Sequence, residues 1–513
     1  MTTLRQDTGP GAEGGGPDQS AAGPASVPAW RRWRAAPARL ARLVRRHWIF
    51  ASALAVAVLP RLVAMIGFQP GVLFQLDTYD YLWGAVHVSP NVVNPSGYSL
   101  FLWLLRPFHS IVLVVFLQHL LGLGIATMVY ALARRYGLPA WGATLAAAPV
   151  LFDRAQILVE QFVMADLLAM ALVVGALAVL LLRRPPSMWQ VITSGVMTGV
   201  SVTVRPTALP LVLLVPLFLL LQRAGWRRAG ASLLAGAIPV IGYMGWFAAV
   251  HGSFNLTNSN GLFLWSRTMS FANCAVIKPP ADLHALCPEA QPGYLAQPDP
   301  SRRLQPKRYL WSHSTWPWRQ EPSGFVPDTA AFTQANNARA LHFAIMAIEA
   351  QPFSYIDVVA KDSAKPLVTT INNLRFPTVQ PHTSAPVKAN KRYEIAAVKG
   401  YLGDTQGAPG DLRYAYGTRL ESPYVSLMND YQHIFFLPGQ VFALIMLTGL
   451  AGIILPRRPT AVAALLWVSA VILIVLPIAE HEYTYRYVLP TVPLACIAAA
   501  IALRKPEPDA AQP

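Results

Sequence analysis

The chain has 513 residues, of which 54% are hydrophobic and only 13% charged, a balance that excludes an ordinary soluble enzyme and describes a polytopic membrane protein. Its formal net charge of +16 sits in short clusters beside apolar runs, with no aromatic-interleaved basic stripe. That excludes a nucleic-acid partner and assigns the charge to membrane topology and lipid headgroups.

Taken in chain order, residues Met1–Pro28 are rich in Gly, Ala and Pro, and 1–47 reads as a disordered, basic, cytoplasmic tail. A secretory signal peptide is not expected, because the first apolar run begins too late and is too long. A crossing helix needs about 20 apolar residues, with roughly 17–25 tolerated. On that measure ten spans are expected: Trp48–Phe68, Ile111–Ala133, Ala140–Phe152, Phe162–Leu182, Trp189–Val204, Thr207–Leu221, Ala231–Val250, Ile434–Leu455, Ala461–Ile478 and Tyr487–Leu503. The third, fifth and sixth are short and need flanking polar residues to cross. Basic clusters at Arg31–Arg46, Arg134–Arg135, Arg183–Arg184, Arg223–Arg228, Arg457–Arg458 and Arg504–Lys505 all fall inside if both termini are cytoplasmic, as the positive-inside rule requires. The expected fold class is an all-α polytopic membrane protein with about ten transmembrane helices and one large mixed extracytoplasmic loop domain. Its parts are a transmembrane module over 48–250 with a first external loop at 69–110, the loop domain at 251–433, C-terminal helices at 434–503 and a cytoplasmic tail at 504–513.

The long loop, Gly252–Tyr431, exceeds the usual length of a structureless connection and is expected to fold. Within Thr329–Ala350, residues Ala338, Leu341, Phe343, Ile345 and Ile348 recur at helical spacing, and a Pro-started helix is expected near Phe353–Lys361. Cys274 and Cys287 both lie in this loop, either as a disulfide or as two buried thiols. Cys496 falls in a span and reads as packing. Trp311, Trp316 and Trp318 either pack the loop's core or stack on sugar faces. There is no CxxC, no HExxH and no Gly-rich loop before a helix. Nucleotide hydrolysis is therefore unsupported, and a divalent metal has no ligand spacing to hold it.

Several charged residues stand at the ends of apolar runs. In the first loop, Asp77 and Asp80 sit among Tyr79, Tyr81 and Trp83, followed by Asn94-Pro95-Ser96-Gly97-Tyr98. A carboxylate there suits a general base acting on an acceptor hydroxyl, or a helix cap with Tyr81 as interfacial anchor. Glu160 and Asp166 flank the fourth span; on one continuous helix they would point some 120° apart. Acidic groups at such a boundary are costly, and are functional, snorkelling or capping. Arg205 and Arg486 are basic residues on the external side, against the positive-inside trend. Guanidinium forks suit phosphate, although Arg486 could instead pair with Glu482 one helical turn away.

Together these residues resemble a known family. Asp77-Thr-x-x-Tyr81-x-x-x-Ala85, Pro95-x-Gly97-Tyr98, Asp166, Arg205-Pro206-Thr207, Gln351-Pro352-x-x-Tyr355 and Arg486-Tyr487-x-x-Pro490 follow one another as in polyprenyl-phosphate-dependent membrane glycosyltransferases of the GT-C fold. The likeness is to the branch of protein O-mannosyltransferase-like and lipid A aminoarabinose transferase-like enzymes, and it spans nearly the whole chain through short, degenerate motifs. The resemblance implies Asp77 as catalytic base, Asp166 as the second external acid and Arg486 as a phosphate- or substrate-handling residue. Substrate contacts are expected at Arg205, Tyr81, Tyr98, Glu160, His481 and Glu482. Where the family often has a second acid directly after the first, this chain has Thr78, which departs from a two-carboxylate or metal-bridging scheme; Asp80 could substitute only from another face of the helix. Implied partners are a polyprenyl-phosphate-linked sugar donor, a glycan, lipid or protein acceptor, and membrane lipids. The implied reaction is a single displacement, with inversion, at the extracytoplasmic face of the cell membrane. Two other readings compete: a transporter or lipid flippase, which would place charges at the midplane of matched, broken helices, and a non-catalytic scaffold. Convergence of Asp77, Asp166 and Arg486 on one place would separate them.

Overall fold

The computed structural model describes residues 45–297, 299–312, 314–319, 331–370, 374–378, 389–403, 417–455 and 460–504. The expected tail at 1–28, most of the Arg31–Arg46 cluster, Arg457–Arg458, residues 329–330 and the tail beyond 504 lie outside them. The described residues from Ile49 onward belong to one compact unit that holds the helical bundle together with the loop domain.

The helices are α1 (Trp48–Gly67), α2 (Gln75–His87), α3 (Gly97–Leu105), α4 (Ile111–Arg135), α5 (Ala140–Phe152), α6 (Arg154–Gln161), α7 (Ala165–Leu181), α8 (Met188–Val204), α9 (Leu209–Leu221), α10 (Trp226–His251), α11 (Asn260–Thr268), α12 (Gln334–Ala350), α13 (Pro352–Val368), α14 (Ala389–Leu402), α15 (Tyr424–Ile434), α16 (Gly439–Ile454), α17 (Thr460–Glu480) and α18 (Val492–Ala502), with several shorter turns between them. Among the described residues the sheet content is one antiparallel pair, β1 (Phe68–Gln69) with β2 (Arg419–Leu420), in the register Phe68 to Leu420.

Five segments are long and apolar enough to cross a membrane: α1, α4, α10, α17 and Tyr485–Ala502. Bent pairs reach that length at α5–α6 (51°), α12–α13 (100°) and α15–α16 (53°), while α7, α8 and Pro206–Leu221 are shorter apolar helices. Each of the ten expected spans overlaps one of these helices. The pair α12–α13 was expected in the loop domain instead. It turns sharply where Pro352 opens α13, and it buries Phe343, Ala344 and Ala347.

Local chemistry sets where these helices stop. The side chain of Asp153 accepts from the backbone of Ala155 and so starts α6 in a new direction, which is why the third expected span is short. The last expected span, Tyr487–Leu503, is not continuous helix. Pro490 and Pro493 remove backbone donors, leaving 3-10 turns at Tyr485–Tyr487 and Leu489–Thr491 before α18. Arg205, ahead of Pro206, takes an extended conformation that ends α8. Close packing of α8 on α10 depends on small residues: a Cβ on Gly199 would collide with the carbonyl of Gly236.

Three buried apolar clusters organise the chain. The largest fills the helical bundle. A second is the loop domain's own core, built from Trp265, Leu286, Tyr309, Phe332 and Phe343, with Val92 and Val93 of the first loop added. Trp316 and Trp318 are buried in it and Trp311 packs against it, so these tryptophans serve packing. Cys274 and Cys287 are bonded as a disulfide, their Cα atoms 6.1 Å apart, and Cys496 is buried in α18. The third cluster joins α2, α3 and α4 to Tyr393 and Tyr401 of α14, and it fixes the helix that carries Asp77.

Candidate active site

Asp77 occupies the first turn of α2, where the helix dipole favours an acid. It does not cap the helix. Phe74 holds the cap position, and its backbone N–H donates to the Thr78 hydroxyl at 2.8 Å, so the side chain of Asp77 is left for other work. Its Oδ2 accepts from Arg486 Nη1 at 3.0 Å. The guanidinium lies 5.0 Å from the centre of the Phe74 ring and 5.2 Å from that of Tyr487. The alternative pairing of Arg486 with Glu482 does not form, because residues 481–484 are not helical and Glu482 goes instead to Lys307, at 3.2 Å to its backbone N–H and 3.8 Å to Nζ.

Asp166 stands in the first turn of α7 and meets Arg205 Nη2 at 2.5 Å through Oδ1. Its Oδ2, like Arg205 Nε, is buried with no hydrogen-bond partner among the described residues, a state that asks for a ligand or water. Arg205 also lies over the Tyr487 ring, 5.4 Å from its centre. Both guanidiniums, and with them the two ion pairs, therefore lie near the Tyr487 ring. Asp166, Arg205, Thr207 and Tyr487 line one pocket whose other walls include Val173 and Leu473.

Tyr81 stands in the field of all four charges. Burial pushes its phenol up, Arg205 and Arg486 oppose that, and Asp77 and Asp166 add to it. Tyr98 lies edge-on to Tyr81, ring centres 5.0 Å apart, and is wholly buried with its hydroxyl donating to Gln118 Oε1 at 2.6 Å. It supports Tyr81 and has no surface of its own for a substrate. Asp80, three residues after Asp77, accepts from the Tyr393 hydroxyl at 2.8 Å and points away into the α2–α14 seam.

Glu160 corrects an expectation. A break at 162–164 separates α6 from α7, so Glu160 and Asp166 are on different helices. Both Glu160 oxygens are taken at 2.8 Å by Arg61, with His119 Nδ1 at 2.8 Å and Gln156 Nε2 at 3.0 Å. Arg61 also donates to the carbonyls of Ala57, Leu151 and Val150. A Cβ at Gly122 would collide with Glu160 Oε1, so that glycine makes room for the carboxylate. This is a closed structural network with no capacity left for substrate. Breaking a buried pair by removing one partner costs roughly 3–5 kcal/mol. Arg61→Met is thus expected to lower the unfolding temperature of the purified protein sharply. Glu160→Gln, which leaves Arg61 its three carbonyls, should lower it less; equal losses would contradict the network's proposed role.

His481 is buried beside the loop domain. Burial and the neighbouring cations Arg267, Arg486 and Lys307 push its imidazole down to about 3 from 6.5. Below pH 6.5 the unfolded chain binds a proton that the folded chain refuses, so this residue costs stability as pH falls from there toward 3. His481→Asn should accordingly lose less stability than the unaltered chain between pH 7 and 5 in unfolding scans, and a parallel decline in both would count against a buried neutral ring. Burial likewise raises the Glu482 carboxyl despite Lys307.

Sequence reasoning missed Tyr487, Phe74 and Thr207 as site residues. Tyr487 and Thr207 did lie within the ordered motifs, directly beside or near the arginines.

Fold and site together define a polytopic helical membrane protein with two acid–arginine pairs around one tyrosine near helix ends. No family model matches the chain, and no curated protein matches it. Among solved structures it is similar to ArnT from Cupriavidus metallidurans, both in the apo state and bound to undecaprenyl phosphate. Each match has 14% identity, covers 89% of this chain and 77% of the ArnT chain, and has a TM-score of 0.33.

Proposed function

We propose that the chain is an integral membrane glycosyltransferase that moves a sugar from a polyprenyl-phosphate donor to an acceptor hydroxyl on the extracytoplasmic face. The observation that carries this reading is the meeting of Asp77–Arg486 and Asp166–Arg205 about Tyr487, beside a pocket with Val173 and Leu473 in its wall. The pairing of cations with an apolar wall suits a lipid phosphate, whose charge and chain need different surfaces. In the reaction, the acceptor oxygen attacks the anomeric carbon as its proton passes to Asp77. The bond from that carbon to the phosphate oxygen breaks, and the polyprenyl phosphate leaves with the electron pair. Arg486 and Arg205 stabilise the charge that develops there. One carboxylate acting as base, with a single displacement, gives inversion. Asp166 holds Arg205 in place.

The transporter reading is less well supported, because the ion pairs sit at helix starts and ends: Asp166 opens α7, Arg205 closes α8 and Arg486 precedes α18. A scaffold would leave both pairs without a purpose. The test is binding of a synthetic polyprenyl phosphate to purified protein in nanodiscs. Saturable binding that is weakened by inorganic phosphate competition or by loss of Arg486 supports the reading; partition indistinguishable from empty nanodiscs opposes it.

A further inference from the structure

Helix α13 turns away from α12 by 100° and is tied near both ends to helices of the bundle. Close to its start, the Tyr355 hydroxyl donates to the Ala479 carbonyl, in the last turn of α17, at 3.1 Å. Just past its end, the Thr369 carbonyl accepts from the N–H of Gly439, the first residue of α16, at 3.1 Å, and Gln440 Nε2 donates to the Val368 carbonyl at 3.2 Å. Helices α16 and α17 are consecutive and pack on each other. The chain crosses with one and returns with the other, so the start of α16 and the end of α17 lie on the same side of the membrane. The two ties are separated by roughly 20 Å of helix, at about 1.5 Å per residue. Both hold α13 at one membrane level, and its axis therefore runs along the surface.

One side of α13 carries the loop domain. Asp362 Oδ2 accepts from Arg267 Nη1 of α11 at 2.5 Å, and Gln351, just before α13, accepts from the Asn273 N–H at 2.8 Å. At about 100° per residue, Tyr355, Asp362 and Pro366 share that protein-facing side, while Ile356, Leu367, Ala360, Phe353 and Ala364 fall in an arc of about 80° roughly opposite. Within the arc Phe353 is 83% exposed and Ile356 59%. Lys361 and Lys365 run along one edge, paired with Asp357 at 2.7 Å and Asp362 at 2.6 Å. At the far end, the exposed Val368 is bonded through its carbonyl to Gln440, next to the exposed Val441 of α16, so the apolar surface of α13 adjoins that of the span.

We propose that α13 is an interfacial helix whose Phe353–Ile356–Ala360 face enters the headgroup and upper acyl layer of the leaflet beneath the loop domain, seating that domain on the bilayer. A helix with one apolar face and a charged edge is the form that lies in this layer. Its lysines already have acidic partners, so the surface it fits is the lipid layer itself and not a particular anionic headgroup. The inference does not depend on the glycosyltransferase reading.

The test uses the full chain in nanodiscs of zwitterionic phospholipid, with a nitroxide on each of Phe353→Cys, Ile356→Cys, Ala360→Cys, Lys361→Cys and Lys365→Cys. Each replaced side chain is exposed, and the native cysteines are either bonded to each other or buried. Power saturation compares relaxation by oxygen, which concentrates in lipid, with relaxation by a water-soluble nickel chelate. Oxygen should prevail at positions 353, 356 and 360, and nickel at 361 and 365, a reversal within one turn of helix. Nickel prevailing at every position puts the apolar face in water and overturns the inference. Oxygen prevailing at every position overturns it too, since the helix would then be sunk in the hydrocarbon. Exclusion of both reagents from 353 and 356 means that a protein surface covers the face, and it is equally contrary.

Discussion

Asp77→Asn is expected to keep the fold and donor binding while losing glycosyl transfer by roughly 10²–10⁴-fold, the usual worth of a positioned general base. The amide is nearly isosteric and can still accept from Arg486 Nη1, as Asp77 does at 3.0 Å. A merely structural role would therefore show as a modest stability change with transfer retained. Asp80→Asn is the internal control. Its amide oxygen can still accept from the Tyr393 hydroxyl, as Asp80 does at 2.8 Å, and transfer should survive. If Asp80→Asn abolishes transfer while Asp77→Asn spares it, the register of the first loop has been misread.

The second large effect is expected at Arg486. Arg486→Lys should weaken polyprenyl-phosphate binding by about 10–100-fold, in line with charge-assisted hydrogen bonds of roughly 1.5–3 kcal/mol, and it should lower turnover as well. Charge is conserved in this variant, so the loss isolates geometry. The guanidinium is a planar fork that holds Asp77 while lying 5.0 and 5.2 Å from the Phe74 and Tyr487 ring centres, and an ammonium cannot keep both arrangements. Titration of polyprenyl phosphate against both proteins in nanodiscs measures this. Unchanged affinity would remove Arg486 from the donor site.

Much of this site was legible in the sequence, for a physical reason. Charged residues at the ends of apolar runs are costly, so Asp77, Asp166, Arg205 and Arg486 stand out one by one, and the resemblance is what orders them as a set. Their pairing was not legible. Asp77 and Arg486 are 409 residues apart, and no local periodicity reports a contact made only when α2 and the turn before α18 are packed. Glu160 shows the same limit from the other direction. A carboxylate near a span reads alike whether it faces substrate or an internal cation, and its partner Arg61 lies 99 residues upstream inside an apolar run. Helix positions followed from apolar runs, whereas helix ends followed from proline and capping: Asp153 turned the chain after α5, and Pro490 delayed α18. Helices α12 and α13 of the loop domain were legible from spacing, and so was the domain's need for a core. That Trp318 would be spent on that core was decided by its ring packing on Phe332 and its indole N–H donating to the Leu310 carbonyl.

If the two acid–arginine pairs form one site for transfer from a lipid phosphate, a sugar must be seen to leave that lipid. The most direct measurement follows label from a polyprenyl phosphate bearing a radiolabelled sugar, incubated with the purified protein and membrane extract. Label is expected to leave the lipid for a new acceptor fraction, with release of unlabelled polyprenyl phosphate. Asp77→Asn and Arg486→Lys should each stop this, while Asp80→Asn should not. Label that stays on the lipid with every donor offered, or moves equally well with Asp77→Asn, would contradict a shared transfer site.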